Sequence, residues 1–190
     1  MPNSEEASPD YLRNSAPLPP SILSPQKLFN TIRKAILGSR EHNELMFENI
    51  PTETGLLVTN SLIKDPDIEN ACPRINYNSL TQTIDIRIMP TFVHDAHQRW
   101  IVNEISRMVS SGFLTQAESD MVAFLVSTTF KGFRAPYSSS VKEPDTCLLP
   151  DNQPFPCIVI ETGWSDSWAK LCRDKDLWLH GGFPHVQFVF

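Results

Sequence analysis

The stretch "KEPDTCLLPDNQPFPCIVIETG", residues 142–163, holds the side chains of this chain best placed to do chemistry. An acid follows a proline twice, at Asp145 and Asp151, and an apolar run from Cys157 to Ile160 ends on Glu161. Such a run fits a strand covered on both faces. A carboxylate at its end costs several kcal/mol to desolvate unless a cation, a hydrogen bond or water compensates it. If the turn rich in Pro150, Pro154 and Pro156 is centred near residue 153, antiparallel partners carry numbers summing to about 306 and Asp145 falls opposite Glu161. Opposed residues have Cβ atoms roughly 4.5 to 5.5 Å apart, close enough for both carboxylates to hold one divalent ion. Without a cation the two would repel, and one would tend to take up a proton. Asp151 lies inside the loop by the same count and reads as a turn residue.

The elements that must position this pair follow from periodicity. "SPQKLFNTIRKAILG" repeats Leu28, Ile32 and Ile36 at helical spacing and stops at Gly38. Residues 39–78 are rich in turn signals such as "ENIPTETG" and "KDPDIENACPR" and read as an irregular wrap. "TIDIRI" alternates Ile84, Ile86 and Ile88 against Asp85 and Arg87, the signature of a half-buried strand. A helix follows with Trp100, Ile101, Ile105 and Met108 on one stripe. A second begins at the Thr115 and Glu118 capping box and leads into "MVAFLV". "STTFKGFRAP", "SSSVKEPDTCLL" and "PCIVIET" then read as three strands. "SDSWAKLCRDKDLWLHGG" reads as a helix capped by Ser165, and "HVQFVF" as a last strand on which the sequence ends.

This order, helix, three strands, helix, strand, with an acid after proline in the second strand and an acid near the end of the third, resembles the PD-(D/E)XK nuclease-like superfamily. Its fold is the restriction-endonuclease-like α/β fold, a mixed sheet flanked by helices around an αβββαβ core. More narrowly, "KEPD", "PCIVIETGWSDS" and "LCRDKDLWL" are similar to a group of fungal proteins of that fold with the variant motif E-x-G-x-S-[DE]-S. The resemblance runs from about Tyr77 to the C-terminus. It implies that Asp145 and Glu161 hold Mg²⁺ or Mn²⁺ with the carbonyl of Thr162, hard oxygen ligands for a hard ion. The ion would polarise a phosphodiester of nucleic acid and activate a water for hydrolysis. Glu104, on the preceding helix, matches an acid that some members carry; a solvated helix-face glutamate is the other reading.

One residue departs from the superfamily pattern. The lysine expected two positions after the second acid is Gly163 here, and losing one preorganised electrostatic contact costs roughly 10² to 10³ in rate. Lys142 is close in sequence, but odd spacing from Asp145 sends it to the opposite face of a regular strand unless a bulge intervenes at Pro144. On the following helix, Lys175 falls within the apolar stripe of Trp168, Leu171, Cys172 and Leu179, whereas Lys170 falls on the solvated face. Lys131 has no assignable facing. His94 and His97 stand three apart without a third ligand, and Ser165 and Ser167 lack a positioned base. Two functions therefore follow from the sequence: a metal-dependent nuclease, or a nuclease-like domain that no longer cuts and serves as a binding or scaffolding module for nucleic acid or protein.

Composition frames both. With 190 residues, 41% hydrophobic and 20% charged, the chain suits one domain at residues 26–190 behind a tail at 1–25 too rich in Ser, Pro and Glu to fold. A net charge of −6 argues against indiscriminate binding to polyanions. No apolar run reaches the roughly 18 residues of a membrane span, and no leader pattern opens the sequence. The expectation is an intracellular, cytoplasmic or nuclear, protein with four single cysteines as thiols.

Overall fold

The computed structural model describes residues 24–88, 92–162 and 168–190, with the backbone alone at 92–96. Most of the expected tail, Gly163, Ser165, Ser167 and the side chain of His94 lie outside the described residues. The architecture is α/β with two sheets.

The first sheet and its helices come from the segment read as an irregular wrap. Helix α1 (Pro25–Gly38) begins where the Ser24 hydroxyl accepts from the Lys27 amide, and it buries Leu28, Ile32 and Ile36 as the spacing predicts. Strand β1 (Asn43–Phe47), helix α2 (Thr52–Ile63), helix α3 (Pro66–Ala71) and strand β2 (Arg74–Asn78) follow. The prolines taken for turn signals are helix starts. Pro51 is the cap of α2, and Pro66 opens α3 behind Asp65, whose carboxylate accepts from the amides of Asp67 and Ile68. Proline suits a first turn because the missing N–H would have no partner there. Strand β3 (Thr83–Ile88) lies between β1 and β2, antiparallel to both. Its isoleucines enter a core with Leu28, Ile32, Val58 and Leu62, and its other face carries Asp85 and Arg87.

Helix α4 (Phe92–Ser110) buries Ile101 but leaves Trp100 and Met108 exposed, so only part of the expected stripe packs. The Thr115 capping box forms as expected and opens helix α5 (Gln116–Asp120). The helix stops there, and Val122–Leu125 is strand β4 rather than a continuation. Five helical residues offer few hydrogen bonds, and pairing with the next strand takes the apolar run instead. "STTFKGFRAP" is not a strand. It makes one isolated bridge, Phe130 to Lys142, and sinks Phe130 and Phe133 into the second core.

Strands β4, β5 (Thr146–Pro150), β6 (Ile158–Ile160) and β7 (Phe188–Val189) form the second sheet in that order, with β6 and β7 parallel and the rest antiparallel. Helix α6 (Trp168–Asp176) and a π-helical turn (Leu177–Gly181) connect β6 to β7. Trp178 and Leu177 close a core with Phe130, Phe133, Phe155 and Val159. Tyr77 of β2 bridges Val141, in the segment that leads into β5, with hydrogen bonds in both directions. All four cysteines are free thiols. No helix among the described residues is long and apolar enough to cross a membrane.

Candidate functional site

The register between β5 and β6 pairs Thr146 with Ile160, Cys147 with Val159 and Leu148 with Ile158, the alignment expected from the prolines. One step further along the same register, Asp145 and Glu161 face each other just beyond the ladder. Asp151 lies in the exposed turn between the strands, its amide donating to the Met121 carbonyl.

The two acids meet different partners. Asp145 is 1% exposed, and its carboxylate is filled by cations and donors. Its Oδ1 contacts the guanidinium Nη1 of Arg74 and, at 2.8 Å, that of Arg87. Its Oδ2 accepts from the Thr162 amide at 2.6 Å and from the Thr162 hydroxyl at 2.5 Å. A carboxylate has about four lone-pair sites; Arg87 and Thr162 donate three hydrogen bonds to them, and Arg74 adds its charge. Thr162, whose carbonyl the resemblance assigns to a metal, thus turns its amide and hydroxyl toward Asp145. Sequence reasoning missed both arginines. They project from β2 and β3, opposite each other across that pair of strands, and both side chains are nearly buried.

Glu161 meets a different cation. Its Oε1 lies 3.2 Å from the Lys142 ammonium and accepts from the Trp178 indole at 2.7 Å. Burial pushes its carboxyl above the usual glutamate value; Lys142 pulls it back, and the Asp174 carboxylate beyond that lysine pushes it up again. Lys142 itself is held well above an ordinary lysine, because the attraction of Asp174, Glu161 and Asp85 outweighs the burial that opposes its charge.

Lys142 corrects the expectation from odd spacing. Val141 and Lys142 belong to isolated bridges and β5 starts only at Thr146, so the ladder breaks across Pro144 and the alternation does not carry through. The lysine side chain consequently reaches Glu161. Two further expectations are reversed on α6. Lys170 is buried, with its ammonium 3.0 Å from Asp85 and 3.9 Å from Glu44, while Lys175 is half exposed and pairs with its neighbour Asp176 at 3.0 Å. Trp168 is exposed as well. The face turned inward is Lys170, Asp174, Leu177, Trp178 and Gly181, a helical stripe whose first two members are charged. Carboxylates on β1 and β3 attract Lys170, and an apolar count cannot see them.

These contacts form two adjoining buried clusters, Lys142 with Glu161 and Asp174 and the rest around the two arginines and Lys170, linked by the attraction of Asp85 for Lys142. Arg87 also bonds Glu44 at 3.2 Å, and Arg74 lies 3.7 Å from Glu143. Among the described residues, four cations (Arg74, Arg87, Lys142, Lys170) face six carboxylates (Glu44, Asp85, Glu143, Asp145, Glu161, Asp174). Full ionisation would leave two negative charges in excess. The carboxyls of Glu143 and Glu161 are both pushed up, chiefly by burial, which disfavours the charged form at these two positions.

The remaining candidates are dispersed. Glu104 pairs with Arg107 on its own helix at 2.7 Å, His97 Nε2 lies 2.7 Å from the Thr146 hydroxyl, and Lys131 donates to Asn60 at 2.6 Å. A cavity of about 30 Å³ adjoins the network, lined by Asp85, Lys142, Lys170, Arg173 and Asp174 among others, but by neither Asp145 nor Glu161. Among the described residues no group of three or more His, Cys, Asp and Glu side chains is arranged to hold a metal ion. No family model, curated protein or solved structure matches this chain.

Proposed function

We propose that this chain is a PD-(D/E)XK-like domain that does not cut and acts as a binding or scaffolding module, with Asp145 serving to join the second sheet to the arginines of the first. The element order from α4 through β4, β5, β6 and α6 to a β7 parallel with β6 supports the restriction-endonuclease-like arrangement. The observation that carries the functional reading is the pair of guanidiniums on Asp145.

Mg²⁺ or Mn²⁺ does not fit beside Asp145 as its side chain is held. Two arginines already supply the charge a divalent ion would bring. No step of hydrolysis is therefore assigned to Asp145. A nuclease reading has one observation in its favour: Lys142 stands 3.2 Å from Glu161 and could replace the lysine absent at position 163.

Incubation of the purified chain with plasmid DNA, single-stranded DNA and RNA in Mg²⁺ or Mn²⁺ tests the proposal. The expected result is intact substrate. Cleavage that requires metal and disappears in both Glu161→Gln and Lys142→Met would overturn it in favour of the nuclease.

A further inference from the structure

A groove of about 250 Å³ lies where α2, α3 and the start of β2 meet residues 127–129 and Glu143. Its walls include Leu62, Ile63, Ile68 and Ile75, and its lining carries two carboxylates, Glu69 and Glu143, with no lysine or arginine among the described residues. Glu69 is exposed, whereas Glu143 is about nine-tenths buried. The Glu143 backbone is fixed by its amide, which donates to the Asn76 side chain at 2.8 Å.

Glu143 lies at the edge of the buried network and also lines the groove. Its ion pair with Arg74 Nε is long, at 3.7 Å, and that arginine is shared with Asp145 through Nη1. The side chain of Ser127 gives it a hydrogen bond. A buried carboxyl in an apolar groove gains from a cation that arrives with its own apolar body, since the ligand removes apolar surface from water and completes the ion pair together.

We propose that this groove binds a primary ammonium carried on a short apolar chain, with Glu143 as its anchor and the isoleucine and leucine side chains around its body. Negative charge in the lining, apolar walls and a volume near the lower end of small-ligand sites favour this class over an anion or a neutral polar ligand. The chemistry is that of an alkylamine or of a lysine side chain on a partner protein. The groove is lined by neither Asp145 nor Glu161, although Glu143 shares Arg74 with Asp145, so a failure to bind amines would leave the reading of that pair standing.

Titration of the full chain with hexylamine and with hexanol, followed by amide chemical shifts in NMR, tests the site. Saturable shifts are expected for hexylamine around Ile68, Ile75 and Glu143, with hexanol at least tenfold weaker. Glu143→Gln should bring hexylamine down to the level of hexanol. Thr129→Trp, at an exposed position on the groove, gives a second test that does not touch the buried network, and it should abolish the shifts. N-acetyl-lysine methylamide serves as the other arm. Saturable binding comparable to hexylamine supports a lysine-bearing partner, and binding of hexylamine alone supports a free amine. Equal binding of hexylamine and hexanol, no binding of either amine, or an undiminished response in Glu143→Gln would overturn the proposal.

Discussion

Asp145 and Glu161 face each other across one hairpin, yet their surroundings differ. Asp145 has two guanidiniums and two hydrogen bonds from Thr162, whereas Glu161 has one ammonium, one indole and a second carboxylate beyond the lysine. The first is a compensated buried charge. The second carries part of a local excess of negative charge and is pushed toward its neutral form. Register brings acids together, but the cations around them decide what they can do.

Substitutions at the two positions should therefore behave unequally. Asp145→Asn leaves Arg74 and Arg87 without the carboxylate that both engage, and removing one partner of a buried ion pair typically costs about 3–5 kcal/mol. Urea unfolding should show a loss of that size. A loss under about 1 kcal/mol would mean that the arginines do not depend on Asp145.

Lys142→Met should cost less, about 1–3 kcal/mol, because Glu161 can respond by taking up a proton. The effect depends on pH in a fixed direction. The folded lysine titrates above the ordinary value of 10.5, so its contribution is complete below that pH and is lost as pH rises through the folded value. Wild type and variant should converge in alkali, which thermal melts across that range would show.

Glu161→Gln is expected to change stability by less than about 1 kcal/mol at neutral pH, since the amide oxygen can still accept from Trp178 and Lys142 keeps Asp174. A carboxyl raised in the folded state binds more protons there than in the unfolded chain, so stability falls as pH rises from about 4.5 through the folded value. Glu161→Gln should flatten that fall in part, with Glu143 supplying the remainder. At the small end, Lys175→Ala should produce no measurable change, since its pair with Asp176 is a half-exposed contact between neighbours.

The same contrast separates what the sequence made legible from what it did not. The β5–β6 register could be read because prolines fix the turn and apolar runs fix the strands on either side. The buried face of α1 was legible for a similar reason, since Leu28, Ile32 and Ile36 repeat at helical spacing. The network around the acids was not. Arg74 stands in a segment whose prolines looked like turns, Arg87 read as the solvated face of an alternating strand, and Lys170 sits at a buried helix position where an apolar residue would be sought. Each cation is explained only by a carboxylate far along the chain: Asp145 for the arginines, and Asp85 and Glu44 for Lys170. Hydropathy and spacing carry no record of such pairs. The β4 strand was missed for another reason, because a genuine capping box opened a helix of only five residues.

The central claim is that arginines, and not a metal ion, neutralise Asp145. Isothermal titration of Mn²⁺ into the wild-type chain, with Glu161→Gln as the folded control, tests it most directly. The expected result is no saturable heat from either protein up to millimolar Mn²⁺. One-to-one binding by the wild type that is lost in Glu161→Gln would contradict the claim and return the acid pair to a metal.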